Sequence, residues 1–279
     1  MEKNLVLNFA NLSDMFEYIE QAKGNPQVKA SERLKRNDFN AFKDWPECQA
    51  AALKGWPEGL ARVKALSEAF VSKVGSGMLK ESFAPAETGL FFDVGLVMTG
   101  QPEAWLQVVE TEEECKGGKL VTIGLNCSVS AAVSASVIRQ RGAAVMALVQ
   151  LLEQAGRSVC VKVGIGLNGA DDPSFSLCAS VILKGFGEAL DEDKLAFWLV
   201  CEDAFRRCLF RVMEATPIWK GLGGEVEGGY GKIKKDWNPP ETDIALGGMT
   251  AFSEKDWTEE KAKTWIEEQL KAQGVSLTE

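Results

Sequence analysis

Between Lys119 and Leu167 the apolar spacing changes twice, from two residues to about 3.6 and back to two, and no other feature restricts the fold so strongly. In KLVTIGLN (119–126) Val121, Ile123 and Leu125 alternate onto one face, which predicts a strand. The small-residue run SVSAAVSAS leads into a predicted helix over 134–155, with Val137, Val145, Leu148 and Leu152 on one stripe and Gly156 placed to end it. SVCVKVGIGL (158–167) returns to alternation, with Val159, Val161, Val163, Ile165 and Leu167 on one face. Strand, helix and strand form one β-α-β or β-α-hairpin unit; with parallel strands its crossover is right-handed. SLCASVILK (176–184) predicts a further strand, and residues 191–215 read as helix in one or two pieces. The expected fold is α/β, a mixed sheet covered by helices.

The flanks are plainer. Residues 11–23 read as an amphipathic helix capped by Asn11 or Ser13, with Leu12, Met15, Phe16 and Ile19 inward and Gly24 at its end. NPQVKASERLKRNDFN reads as a loop. Pro46 and Pro57 are each placed to open a helix, the second running to about Val74 with Leu60, Val63, Leu66 and Phe70 at helical spacing, closed by Gly75 and Gly77. Residues 90–98 are a strand candidate, and 257–272 read as a closing helix capped by Asp256, with Trp257, Trp265, Ile266 and Leu270. The expected division is an N-terminal helical region, 1–80, and an α/β core, 81–279, carrying a Gly-rich loop at 219–237 and the C-terminal helix.

Composition removes whole classes of chemistry. The 279 residues include no histidine, so Ser-His-Asp and Cys-His catalysis are excluded. Seven cysteines occur without a C-x-x-C pair, several in apolar runs; they read as buried free thiols in a reducing compartment, not as a disulfide framework or zinc site. No run approaches the roughly 18–20 apolar residues of a membrane span, and MEKNLVLNFANLSD lacks a signal-peptide pattern, so a cytoplasmic protein with no membrane partner is expected. The formal charge of −9 argues against an extended basic surface while leaving room for a local one.

Three constellations stand out. In TIGLNCSVSAAVS, Asn126, Ser128 and Ser130 follow a strand and precede a helix, where a von Willebrand A-type domain places D-x-S-x-S around a divalent cation. Asparagine lacks the charge that dominates such binding, so helix capping and close packing are favoured for the serines, and no bound metal is expected. Asp171 and Asp172 in LNGADDPSF read first as a turn with an Asx bond. No G-x-S-x-G or G-x-x-x-x-G-K-[ST] motif is present, no catalytic residue is identified, and no cofactor is expected. The third constellation interleaves aromatics and cations along a glycine-rich segment: Trp219, Lys220, Tyr230, Lys232, Lys234, Lys235 and Trp237, with Arg206, Arg207 and Arg211 on the preceding helix. Single-stranded nucleic acid is held by such residues, bases on aromatic faces and phosphates on cations. A solvated loop anchored by its tryptophans competes with that reading, because Glu225 and Glu227 dilute the charge.

FFDVGLVMTGQPEAW, LNCSVSAAVSASVIRQRGAAVMALVQLLEQAGRSVCVKV and LDEDKLAFWLVCEDAFRRCLFRVMEATP, in that order, resemble a family of tailed-bacteriophage proteins with a degenerate von Willebrand A-like core. The resemblance spans about residues 90–235, is carried most specifically by R-x-R-G-A-A-V, and implies a phage gene expressed in the host bacterial cytoplasm. The combined expectation is a non-enzymatic, phage-encoded accessory protein that binds single-stranded DNA. The alternative is a von Willebrand A-like protein-binding or assembly module. A homo-oligomer sharing one strand fits the first reading, and a protein partner the second.

Overall fold

The computed structural model describes residues 3–22, 41–75, 82–86, 91–92, 97–99, 105–109, 119–130, 132–218, 231–250 and 257–275. The chain begins with β1 (Asn4–Phe9), then α1 (Leu12–Gln21), α2 (Trp45–Lys54) and α3 (Pro57–Gly75). β2 (Ser82–Ala86), β3 (Phe91–Phe92) and β4 (Trp105–Val109) make a small antiparallel sheet in the order β2-β4-β3. β5 (Leu120–Asn126), α4 (Ala135–Gln154), β6 (Ser158–Asn168) and β7 (Ser176–Lys184) follow. α5 (Glu192–Val200) leads into a six-residue π-helix (Ala204–Leu209) that continues as α6 (Phe210–Ala215). β8 (Lys232–Ile233), β9 (Ile244–Leu246) and α7 (Glu259–Ala272) complete it.

The main sheet runs β1-β7-β6-β5-β9, with β8 also on β6. β5 is parallel to β6 and to β9, β1 is parallel to β7, and β6 and β7 are antiparallel. The expected mixed sheet covered by helices is what the chain forms. β5 ends opposite Gly164, and β8 takes the position beside β6 that β5 leaves, pairing Ile233 with Leu167.

The two faces of β6 explain the layering. Val159, Val161, Val163, Ile165 and Leu167 point to one face, are all buried, and join a core with the helices. Gly164 and Gly166 point to the other, where the Trp237 ring lies so close that a Cβ at Gly164 would come within 2.6 Å of it, and one at Gly166 within 2.9 Å. Thr242 covers Gly124 in the same way, and Lys162 donates to the Pro240 carbonyl at 3.0 Å. Residues 237–242 therefore roof this second face.

Helix ends follow local chemistry. Asn11 caps α1 by accepting from the Asp14 N–H, Asp44 caps α2 just ahead of Pro46, and Gly156, at φ 71°, turns the chain after α4. α7 is capped by Thr258, which accepts from the Lys261 N–H; the expected cap, Asp256, lies outside the described residues, as do Gly24, the loop 25–40 and Gly77. The strand expected at 90–98 is described only at Phe91–Phe92. Sequence reading missed β1, β2, β4, β8 and β9. β1 pairs along β7, and among the described residues one apolar core cluster runs from Leu12 to Val275, on both sides of the boundary expected near residue 80. Among the described residues no helix is long and apolar enough to cross a membrane.

Candidate functional site

Strand β5 leaves the sheet at Asn126 and runs into the segment before α4, and this edge is built from side chains that serve one another. Asn126, fully buried, donates through Nδ2 to the carbonyls of Lys234 (3.1 Å) and Trp237 (3.0 Å), and its Oδ1 accepts from the Ser128 N–H at 3.0 Å. Ser128, also fully buried, exchanges hydrogen bonds with the Gly166 N–H (3.2 Å) and carbonyl (3.4 Å). Ser130 accepts through Oγ from the Ala132 N–H at 3.4 Å. Asn126 and Ser128 thus spend their polar atoms stitching 234–237 and β6 to β5. Among the described residues no cluster of three or more Asp, Glu or Cys side chains could hold a metal ion. Asp172 forms the expected turn, accepting from the Ser174 N–H at 2.9 Å and from Lys3 at 3.2 Å; the Ser174 bonds, then Lys3, hold its carboxyl below the usual range.

The structure describes part of the set proposed for a nucleic-acid surface, and buries two of its arginines. Trp219, Lys220 and Tyr230 lie outside the described residues. Lys232 and Lys235 are exposed and Lys234 is half-buried, in and just after β8, which pairs with β6. Trp237 is half-buried, its ring laid on Gly164 and Gly166. Arg207, expected on the basic surface, is fully buried: its Nε stands 3.0 Å from Asp203 and its Nη2 donates to the Phe42 carbonyl at 2.8 Å. Asp203 in turn accepts from the Ala41 and Phe42 N–H groups. Arg211 is buried too, 3.7 Å above the Trp45 ring. A charge committed to a buried partner cannot meet phosphate.

Arg206, half-buried, faces elsewhere: it lines a cleft where β5 ends and α4 begins. Open-sheet α/β folds place ligands beyond the carboxyl ends of their strands. β5 contributes Leu125, and the chain just beyond it Cys127, Val129 and Ser130; Val133 and the α4 residues Ile138 and Arg141 form a second wall. Trp198, Leu199, Cys201 and Glu202 come from the end of α5, and Ala204, Phe205 and Arg206 from the π-helix, with Met249 beyond β9 closing the base. The cavity volume is about 30 Å³, within a cleft of about 510 Å³ of empty space that includes its open mouth.

Local packing sets this shape. A Cβ at Gly142 would come within 2.5 Å of the Leu199 carbonyl, so glycine lets the end of α5 lie directly on α4. The Trp198 indole N–H donates to the Ala52 carbonyl at 3.0 Å, fixing its ring. Arg141, 2% exposed, donates to the Gly247 carbonyl at 2.6 Å. Val129 bridges to Met249, with the Ser130 N–H on the Met249 carbonyl.

The electrostatics are those of a dry site. Burial pushes the Cys127 thiol up to about 12, Arg141 and the Gly164 hydrogen bond opposing it. Burial also raises the Glu202 carboxyl; its backbone hydrogen bond, Arg139 and Arg206 pull the other way, and Asp203 adds to the rise. Both buried thiols and a raised carboxyl stand where apolar walls converge, the arrangement expected of a ligand site. Sequence reasoning named Arg206 for another role and missed the rest. The available signal was Arg141, a cation within the apolar run of α4.

Among curated proteins and solved structures, nothing matches this chain. A family model described as a domain of unknown function (DUF7192) matches residues 1–276, and the chain belongs to that family.

Proposed function

We propose that this protein is a non-enzymatic small-molecule-binding protein whose site is the cleft at the end of β5. The observation that carries the reading is the convergence of apolar walls from four separate segments on Arg141, Glu202 and Arg206, at the strand edge where α/β sheets take ligands. Trp198 lines the cleft, so occupancy should perturb its fluorescence and raise Tm by mass action. The test is a thermal-shift screen of small apolar and amphipathic compounds on the wild type and on Ala204→Leu. Ala204 is 1% exposed in the cleft wall, and a larger side chain there fills the space. Compounds that stabilise the wild type and not the variant support the reading; equal shifts in both sink it.

Single-stranded nucleic acid is the second reading, favoured by exposed Lys232 and Lys235 on one short segment. Fluorescence anisotropy with a labelled oligonucleotide at low salt tests it. Binding that weakens with salt and with Lys232→Ala/Lys235→Ala supports it, and binding indifferent to both changes removes it.

A further inference from the structure

We infer that β1 is a self-association edge: two copies of this chain pair their β1 strands antiparallel across a twofold axis at Val6, joining two main sheets into one. The run Asn4-Leu5-Val6-Leu7-Asn8 reads the same in both directions about Val6, and it lies on an end strand of the sheet. A strand with that symmetry presents like to like when it meets its own copy head to tail. Among the described residues β1 pairs with β7 on one side and with no strand on the other. The sheet's opposite end, β9, is three residues long, too short to serve as a template.

The backbone of this edge faces outward in the required register. The Ser176 N–H donates to the Lys3 carbonyl at 2.9 Å, so in the parallel ladder Lys3, Leu5, Leu7 and Phe9 turn their backbone groups toward β7. Asn4, Val6 and Asn8 therefore present N–H and C=O on the outer side, and all three are exposed, Val6 to 64%. From Asn4 to Phe9 there is no charged residue, no proline and no register shift against β7, the devices that ordinarily blunt an edge. With the axis at Val6, Val6 meets the second copy's Val6 and Asn4 meets the second copy's Asn8, each pair exchanging both backbone hydrogen bonds. Side chains obey the same symmetry. Asn4 and Asn8 accept through Oδ1 from Ser176 (2.8 Å) and Ser180 (2.7 Å), which holds each amide in place and leaves Nδ2 as the donor across the axis. On the helical face Leu5 meets the second copy's Leu7; both are half-buried at the margin of the core, and pairing covers them further. Two chains of net charge −9 thus meet on a strand that carries none of it. The axis closes the assembly at two copies, and so small an interface sets a dissociation constant on the order of 10 μM.

The experiment is sedimentation equilibrium of the full chain, from well below to well above that concentration, on wild type, Val6→Lys and Val6→Glu. Each substitution sets like charges opposite one another across the axis, at a side chain too exposed to matter to the monomer's core. Wild type should approach twice the chain mass as concentration rises. Each variant alone should associate about tenfold more weakly or worse, and an equimolar mixture of the two should recover association, because the Val6-on-Val6 register then brings opposite charges together. Hydrogen exchange of the wild type by NMR gives a reading that needs no variant. The Val6 and Asn8 amides should slow as concentration rises, while those of Leu5 and Leu7, bonded to β7, stay slow throughout. A wild type that stays monomeric, or a dimer indifferent to both substitutions, would overturn the inference. So would a mixture that stays monomeric, or Val6 exchange that ignores concentration.

Discussion

Arg206 and Arg207 are adjacent in sequence, yet one lines an open cleft and the other is fully buried against Asp203. The run FRRCLFR offers no sign of this difference. The π turn inserts an extra residue into the helical repeat, so a 3.6-residue template assigns the wrong face. Asp203 holds the first residues of the segment before α2 as well as Arg207, so Asp203→Ala leaves a buried cation and two N–H groups without it. We expect a loss of about 3–5 kcal/mol, measured by urea unfolding. Glu202 makes a different statement. Its folded-state pKa lies above the ordinary value of 4.5, so the folded chain holds that proton more tightly than the unfolded one. Its contribution to stability is therefore complete below that value and is lost as pH rises through the folded pKa. Glu202→Gln should flatten the fall in stability just above pH 4.5, read from Tm against pH. The thiols answer to burial as well. The six described cysteines are all buried, and Cys127 is pushed up to about 12, so they should react with a disulfide reagent at pH 8 only when the chain is unfolded.

Elements with many repeats of one period were legible, and short strands of two to six residues were not. β5, α4 and β6 each repeat their spacing several times and stand where the periodicity puts them. β8 and β9 hold two and three residues, too few to show a period, and exist because β6 and β5 offer them free backbone. β1 places Leu5, Leu7 and Phe9 on one face, but the apolar Val6 between them breaks the alternation, and its neighbour α1 carried the stronger signal. The cleft was illegible for a related reason: it is made where segments from residues 125 to 249 meet, and no one of them carries a motif. Gly164 and Gly166 are read more fully in the structure, where they make a flat seat for Trp237. Gly166→Val should lift that ring and cost about 1–3 kcal/mol by overpacking. Trp emission should shift to longer wavelength, and the shift should vanish in a Trp237→Phe background.

At the scale of the whole molecule, β1 and the three helices after it belong to the same core as the last helix. One continuous core predicts one cooperative transition: near-ultraviolet and far-ultraviolet circular dichroism should report the same midpoint on heating. Two separated midpoints would support a boundary near residue 80. The placement of β1 also has a consequence in time. Asn4 pairs with Ser176, in parallel, so β1 is made well before its partner, which lies at the far side of the α4 crossover. At roughly 5–20 residues per second, synthesis of the intervening chain takes on the order of 10–30 seconds. Throughout that interval a nascent segment with Leu5, Leu7 and Phe9 on one side has no edge to join, and its loop-closure cost comes due before any sheet exists to reward it. The birth of this sheet is therefore a wait on the ribosome, in which β1 is a natural client for whatever shields apolar chain until β7 emerges.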